Sequence, residues 1–503
     1  MLQEPWKHLK SGTDIRGVAL EGVEGQPVDL TDERIEKIAS AFVLYLSRKT
    51  KKAVNRIAIG RDSRLSGEHI ASLLEKVFLQ KGQEILQVSL ASTPAMFMTT
   101  VDLHTDAAVQ ITASHHPWNR NGLKFFLPTG GLEGDDIKEI LLYCQNGEGA
   151  PDREGGTRRD VAYMDDYAAR LRAMITEGVG GGNKPLAGFH VTVDAGNGAG
   201  GFYVEKVLKP LGADTTGSQF LEPDGSFPNH IPNPENETAM SFACRAVKES
   251  GADLGIIFDT DVDRAGCVDS TGREINRNRL VALASVIALQ GNRGGAIVTD
   301  SITSDGLKTF IERDLGAVHV RFKRGYKNVI NKAIELNREG INAPLAIETS
   351  GHAALRENYF LDDGAYLATR ILIEAAKMKK AGTNLVDLIA TLAEPRESKE
   401  LRFSILAEDF RPVGEQILKD LEAYGKAKGW RIAPDSFEGV RISFGAGEGD
   451  GWFLLRLSVH DPVMPCNLES NTDGGCRILA EKLYAFLADR SDLDTTPLKE
   501  FLA

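Results

Sequence analysis

Residues 111–126 read Ile-Thr-Ala-Ser-His-His-Pro-Trp-Asn-Arg-Asn-Gly-Leu-Lys-Phe-Phe. An apolar run (Ala107, Ala108, Val109, Ile111) leads in, and another (Leu123, Phe125, Phe126, Leu127) leads out. The pattern predicts strand, tight loop, strand, with Asn121-Gly122 as a turn signal. Ser114 stands at the head of the loop beside His115 and His116, with Lys124 at its far end. A serine raised at a strand end beside imidazoles and an amine is placed like a nucleophile. The plainer alternative is a polar turn that caps two core strands. Short motifs often match by chance, so the rest of the chain has to decide.

The whole chain sets the bounds. Its 503 residues, 42% hydrophobic and 26% charged, suit a globular enzyme of three or four domains. A net charge of -12 argues against wholesale binding to nucleic acid or an anionic membrane. The cysteines (Cys144, Cys244, Cys267, Cys466, Cys476) are odd in number and irregularly spaced, which points to a reducing compartment and away from structural zinc. No apolar run approaches the roughly 18 residues of a membrane span. The start, Met-Leu-Gln-Glu-Pro-Trp-Lys, lacks an apolar signal core. The expected location is cytoplasmic, or an organelle stroma if a transit peptide has been trimmed.

A second stretch carries chemistry. Residues 257–266 read Ile-Phe-Asp-Thr-Asp-Val-Asp-Arg-Ala-Gly and follow an apolar strand at Leu254 to Phe258. Asp259, Asp261 and Asp263 alternate, and in an extended segment alternate side chains share a face. Three like charges so close repel unless a cation joins them, and oxygen-only ligands favour a hard ion such as Mg²⁺. A calcium loop would need Gly and Glu where Arg264 and Ser270 stand, so that reading fails. A solvated acidic turn is the bland alternative.

Elsewhere strands and helices alternate. A helix is expected over Asp32 to Leu46 with Thr31 as its cap, a strand at Arg56 to Gly60, and a helix at about Glu68 to Gln80. Asn146 to Asp160, polar and glycine-rich, reads as a boundary. Ala195 to Gly201 follows a strand and fits a dinucleotide fingerprint with Glu222 as the ribose acid. The missing second strand makes a glycine-rich strand-to-helix turn the better reading. Glu348 and Ser350 could meet sugar hydroxyls. Lys323 and Arg324 form a cationic cluster suited to phosphate, and Arg456 and Ser458 end a strand in the same manner. A helix is expected at Ala407 to Lys426, strands at Gly439 to Phe444 and Trp452 to Ser458, then a loop, then a helix at Gly475 to Leu487. The expected fold is α/β: three α/β domains with mixed sheets (1–158, 159–274, 275–396) and a C-terminal α+β domain (397–503).

Taken in order, these stretches resemble the α-D-phosphohexomutase family, which includes phosphoglucomutase, phosphomannomutase and phosphoglucosamine mutase. Thr112-Ala113-Ser114-His115-His116-Pro117 resembles the phosphoserine loop, continued by Asn121-Gly122-Leu123-Lys124. Asp259 to Arg264 resembles the Asp-Gly-Asp-Gly-Asp-Arg magnesium loop, and Glu348-Thr349-Ser350-Gly351-His352 the sugar loop. Asp14-Ile15-Arg16-Gly17 resembles the N-terminal loop whose arginine faces the phosphoserine. There are departures. His116 stands where Asn is usual, and Thr260 and Val262 replace the glycines of the metal loop. Val459-His460-Asp461 replace the small residue, Thr and Glu of the distal phosphate clamp, and a Pro/Cys/Asn-rich insertion (Val463 to Asn471) follows.

The resemblance implies four domains around a central cleft and a reversible phosphoryl shift between C1 and C6 of a hexose phosphate. Ser114 would carry the phosphoryl group, and the metal ligands would be Ser114, Asp259, Asp261 and Asp263. Arg16 and Arg264 would steady the reacting oxygens. Lys124 would be the general acid/base, with His352 second. Glu348 and Ser350 would hold the sugar, and Lys323, Arg324, Arg456 and Ser458 the non-reacting phosphate. The implied cofactors are Mg²⁺ and a hexose 1,6-bisphosphate activator. The partner is a small phosphosugar, and the chain a monomer or dimer. Two alternatives keep the same residues: a hexose-bisphosphate synthase or phosphatase, and a catalytically silent phosphosugar sensor.

Overall fold

The computed structural model describes residues 2–434, 436–458 and 461–503, and among them the strands form four sheets. The first is mixed. Arg56–Arg61 pairs in parallel with Glu84–Leu90 and with Ala107–Ile111. Ala107–Ile111 then pairs antiparallel with Arg120–Leu127, which pairs antiparallel with Asp14–Val18. The inner strands are continuous apolar runs because helices cover both faces. One is Asp32–Thr50, whose Ile35, Ile38, Phe42 and Leu46 fall on one buried face. Thr31 caps it by accepting a hydrogen bond from Arg34 N at 3.4 Å, and Arg48 and Lys49 sit in its last turn. The Phe42 ring lies 4.5 Å from that of Phe125, which ties this helix to the strand that leaves the Ser114 loop.

Three expectations need correction. Asn121-Gly122 is not the turn; both residues lie inside strand Arg120–Leu127. Gly122 is required there because a Cβ would stand 2.4 Å from Ile15 O on the neighbouring strand. The polar stretch 146–160 holds strand Thr157–Asp160, parallel to Glu84–Leu90 and straddling position 158. The supposed insertion after Asp461 is strand Val463–Ser470, paired on both sides. Its Met464, Cys466 and Leu468 are fully buried at period two, a pattern that Pro465 and Asn467 disguise.

The second sheet runs Glu274–Ile275, Ala265–Asp269, Leu254–Phe258, Val191–Asp194, and its middle pair is an antiparallel hairpin. The third has a parallel core of Val318–Arg321, Ala296–Thr299 and Leu345–Ile347. The fourth is antiparallel, in the order Glu397–Ser404, Val463–Ser470, Gly451–Arg456, Gly439–Phe444, Arg431–Ile432, with helices Phe410–Ala427 and Gly475–Leu487. By contacts the chain divides into two compact units. The first reaches to Asn276 and takes in Ser350–Ala353 and Leu361–Asp387; the second holds Arg277–Thr349, Ala354–Phe360 and Leu388–Ala503. Among the described residues no helix is long and apolar enough to cross a membrane.

The second unit contains a buried polar chain. Arg441 lies 3.5 Å over the Trp452 ring and donates to Asp305 Oδ1 at 2.8 Å. Trp452 Nε1 donates to Glu469 Oε2 at 3.1 Å. Burial pushes the Glu469 carboxyl up to about 7 against the pull of Arg441. The folded state therefore holds this proton more tightly than the unfolded chain, where the ordinary value is 4.5. Stability falls as pH rises from about 4.5 through about 7. Glu469→Gln removes this slope, so its melting temperature should gain on wild type between about pH 5 and pH 8. A difference that stays constant across that window refutes the assignment.

Candidate active site

The loop after strand Ala107–Ile111 is built around a strained serine. Ser114 has φ +51°, a left-handed conformation that costs a non-glycine residue about 1–3 kcal/mol and persists only when its surroundings fix it. Its N–H donates to Thr112 Oγ1 at 2.9 Å, and Thr112 Oγ1 donates to Asp62 Oδ2 at 2.7 Å. Burial raises the Asp62 carboxyl to about 6, with Arg64 opposing. Ser114 Oγ donates to Asp259 Oδ2 at 3.1 Å and accepts from Arg264 Nη2 at 3.1 Å.

The adjacent imidazoles are not bases for this hydroxyl. His115 Nδ1 is 3.3 Å from Ser114 Oγ but 2.6 Å from Arg264 Nη2, which can only donate, so the ring lone pair is already engaged. Burial and the Arg264 charge hold the His115 pKa far below the usual range. Burial and Arg16 bring His116 down to about 3. Arg16, opposite Gly122 in the sheet, pairs with Asp14 at 2.7 Å.

The acidic trio converges by a different route from strand alternation. Residues 259–264 form the turn between Leu254–Phe258 and Ala265–Asp269, with Val262 at φ +65°. This turn brings ligand oxygens of Asp259, Asp261 and Asp263 within 4.8 Å of one another, all buried. Lys124 Nζ is 2.5 Å from Asp263 Oδ2 and 3.3 Å from Asp261 Oδ2. Arg264 Nε donates to Asp259 Oδ2 at 3.0 Å. The N-terminus of helix Thr93–Asp102 holds Asp261 as well: Thr93 N donates to its carbonyl at 2.8 Å and Thr93 Oγ1 to its carboxylate. Among the described residues Asp261 Oδ1 and Asp263 Oδ1 are buried without a hydrogen-bond partner, which fits a site for a hard cation. Burial raises the Asp259 carboxyl, and Asp263 adds to that. Asp263 is held low against burial by Lys124 and His352.

His352 Nδ1 is 2.6 Å from Asp362 Oδ2 and 3.8 Å from Asp263 Oδ1. Burial alone would lower its pKa, but the two carboxylates outweigh burial and push it up to about 9. The glycines of Ala195 to Gly201 serve packing. A Cβ on Gly198 would stand 2.5 Å from Thr260 O, and Ala199 N donates to that same oxygen at 2.8 Å. Asn197 Nδ2 donates to Glu222 O at 2.9 Å, so Glu222 uses its main chain to hold the turn. Ser350 Oγ, also in the first unit, is buried and has no hydrogen-bond partner among the described residues.

The second unit carries the other candidates. Glu348 Oε1 accepts from Gly325 N at 2.6 Å. Arg324 Nε lies 3.5 Å from Asp300, whose carboxyl burial lifts to about 7 against the pull of Arg324. Arg324 N donates to Glu438 Oε2 at 2.9 Å, Ser301 Oγ donates to Glu438 Oε1, and Arg456 Nε is 4.0 Å from Glu438. Lys323 is exposed. Ser458 Oγ accepts from Asp461 N at 3.3 Å; Val459 and His460 lie outside the described residues. Thr93, Asp62, Asp362, Asp300 and Glu438 have no place in the motif reading. Thr93 and Glu438 meet partners remote in sequence, Asp261 and Arg324, and no short motif marks any of the five.

The chain matches the family described as phosphoglucomutase/phosphomannomutase in three segments: alpha/beta/alpha domain I at residues 8–148, domain II at 165–272 and domain III at 276–394. It is 29% identical over 479 residues to a phosphoglucomutase of Neisseria gonorrhoeae, covering 94% of this chain and 96% of that protein. It is 30% identical over 417 residues to a phosphomannomutase/phosphoglucomutase of Pseudomonas syringae pv. tomato, covering 83% of each. The fold is similar to the crystal structure of a phosphoglucomutase/phosphomannomutase family protein from Burkholderia thailandensis, with TM-score 0.78 and 24% identity over 97% of this chain and 98% of that one.

A cation that binds only the folded trio must stabilise it, by about 2.7 kcal/mol at a concentration 100-fold above Kd. Mg²⁺ should therefore raise the melting temperature of the wild type and leave Asp261→Asn nearly unmoved. Equal shifts in both proteins would place the ion elsewhere.

Proposed function

The chain belongs to the phosphoglucomutase/phosphomannomutase family, and from that premise we propose that it is a phosphohexomutase. It moves a phosphoryl group between C1 and C6 of a hexose through a phosphoserine at Ser114 and a hexose 1,6-bisphosphate. The observation that carries this reading is the company Ser114 Oγ keeps: Asp259 and Arg264 at 3.1 Å, with Lys124 on the neighbouring carboxylates. Those groups suit a phosphorylated serine. An acyl-transfer serine would need a free imidazole, and His115 is taken by Arg264.

Asp259, Asp261 and Asp263, with the phosphoryl oxygen on Ser114, are the residues that would hold Mg²⁺. Bound there, the ion would neutralise phosphoryl charge. The protein's own groups do the rest. A sugar hydroxyl attacks phosphorus in line, the bond from phosphorus to Ser114 Oγ breaks, and the hydroxyl proton passes to Lys124 in its uncharged amine form, with His352 the second acid/base. Arg264 and Arg16 steady the phosphoryl oxygens. The bisphosphate then presents its other phosphate, and Ser114 Oγ takes it back as the proton returns. Glu348 and Ser350 hold sugar hydroxyls. Lys323, Arg324, Arg456 and Ser458 hold the phosphate that does not react.

In the distal group, Glu438 accepts from the main-chain N of Arg324 and lies 4.0 Å from Arg456 Nε, where an anion would bind. Glu438→Gln should lower KM for the hexose phosphate by about fivefold, or about 1 kcal/mol, by removing a competing charge. A raised KM would instead make Glu438 a needed support.

Intact-mass analysis should find one phosphate on the wild-type protein after incubation with hexose 1,6-bisphosphate, and none on Ser114→Ala. Turnover of hexose 1-phosphates should fall at least about 10³-fold in Ser114→Ala. Unchanged turnover in that variant refutes the phosphoserine route. Release of bisphosphate as the main product would favour a synthase.

A further inference from the structure

The stretch Arg61-Asp62-Ser63-Arg64 has no place in the reaction described so far, yet it holds the nucleophile loop from beneath. The Arg64 side chain is 0% exposed. Its Nη2 donates to the carbonyls of Ser114 at 2.5 Å and His116 at 2.6 Å. Its Nη1 donates to those of Pro117 and Arg120, both at 2.8 Å. Asp62 balances the charge, 3.4 Å from Nε, and accepts from Arg64 N at 2.8 Å. Asp62 Oδ2, the oxygen nearest Nε, also accepts from the Thr112 hydroxyl, which accepts from Ser114 N–H. The N–H and C=O of Ser114 are thus both fixed by the same short stretch, one through Thr112 and one directly. The underside is seated too. Phe227 lies 5.2 Å from the Arg64 guanidinium, and a Cβ on Gly225 would stand 2.4 Å from Leu65 N.

We infer that Arg64 is a positioning residue that holds the left-handed backbone of Ser114, and so sets the direction from which its Oγ meets a phosphoryl group. The inference rests on reading Ser114 as the phosphoryl carrier. Only a planar guanidinium offers donors in enough directions to serve four carbonyls at once; an ammonium of lysine cannot span them. A misplacement of the order of 1 Å at a nucleophile is enough to cost about 10²-fold in rate.

The test uses Arg64→Lys and Thr112→Val beside the wild type. For Arg64→Lys, kcat for a hexose 1-phosphate should fall by about 10²-fold while KM and the Mg²⁺ dependence stay within about threefold. Thr112→Val, which removes one link and little volume, should lose about tenfold. Amide hydrogen exchange over residues 113–118 should quicken at least about tenfold in Arg64→Lys while the strand at 107–111 keeps its protection. The inference is overturned if kcat holds within about threefold in both variants. It is also overturned if KM and kcat fall together with global stability, or if exchange in the loop does not change. If Arg64→Lys fails to fold, Thr112→Val decides by the same measures. If the wild type turns over no hexose phosphate, the mutase reading fails, and hydrogen exchange still decides whether Arg64 braces the loop.

Discussion

Asp259, Asp261 and Asp263 set three carboxylates within 4.8 Å of one another where solvent does not reach. At an effective dielectric of about 20, two such charges about 4 Å apart repel by about 4 kcal/mol. The fold answers with cations drawn from distant parts of the chain: Lys124 on Asp261 and Asp263, Arg264 on Asp259, and His352 opposite Asp263. These donors come from a strand of the first sheet, the turn itself and a segment that returns to the first unit after residue 349. The site therefore cannot form piecemeal. Among the described residues two carboxylate oxygens, Asp261 Oδ1 and Asp263 Oδ1, are still left without a hydrogen bond, and this separates the arrangement from a saturated salt-bridge network.

Two strained residues follow from the same constraint. Val262 takes φ +65° although it is β-branched and fully buried, because the turn must fold three aspartates inward within six residues, 259–264. Ser114, whose Oγ meets Asp259 and Arg264 of that turn, takes φ +51°. Both are fixed by groups outside their own turns: Gly364 N donates to Val262 O at 3.1 Å, and Arg64 grips the Ser114 loop. Strain at both halves of a site, each half locked from outside, is what preorganisation requires of side chains that must meet a ligand at fixed distance.

Much of the fold was legible in the sequence, since long buried runs and capped helices announce themselves; Asp32–Thr50 and its Thr31 cap are one case. The order of the Ser114, Asp259 and Glu348 stretches was equally plain, because their residue types are crowded into short windows. What escaped was set by partners far along the chain. Gly122 is a glycine for the sake of Ile15 O, not for a turn. Strand Val463–Ser470 hid behind Pro465 and Asn467, although Met464, Cys466 and Leu468 are fully buried at every second position. Asp261 leans on Thr93, which has no motif around it. Alternation of the aspartates led to the right neighbours for the wrong reason, since a turn and not a strand gathers them.

The histidines beside Ser114 show how neighbours change the chemistry of a motif. In isolation, Ser-His-His invites a model in which an imidazole takes the serine proton. Here burial removes water, Arg264 and Arg16 add positive charge, and both rings are held neutral. A neutral ring whose lone pair already accepts from Arg264 cannot accept another proton. The same cations that disable the imidazoles as bases favour anionic oxygens at Ser114 Oγ. A phosphoryl group there would bring nearly two negative charges beside Arg264, which already donates to Ser114 Oγ, and beside an acidic trio that only a cation can reconcile with them. The electrostatics that exclude a proton-relay serine are thus the electrostatics that a phosphorylated one needs.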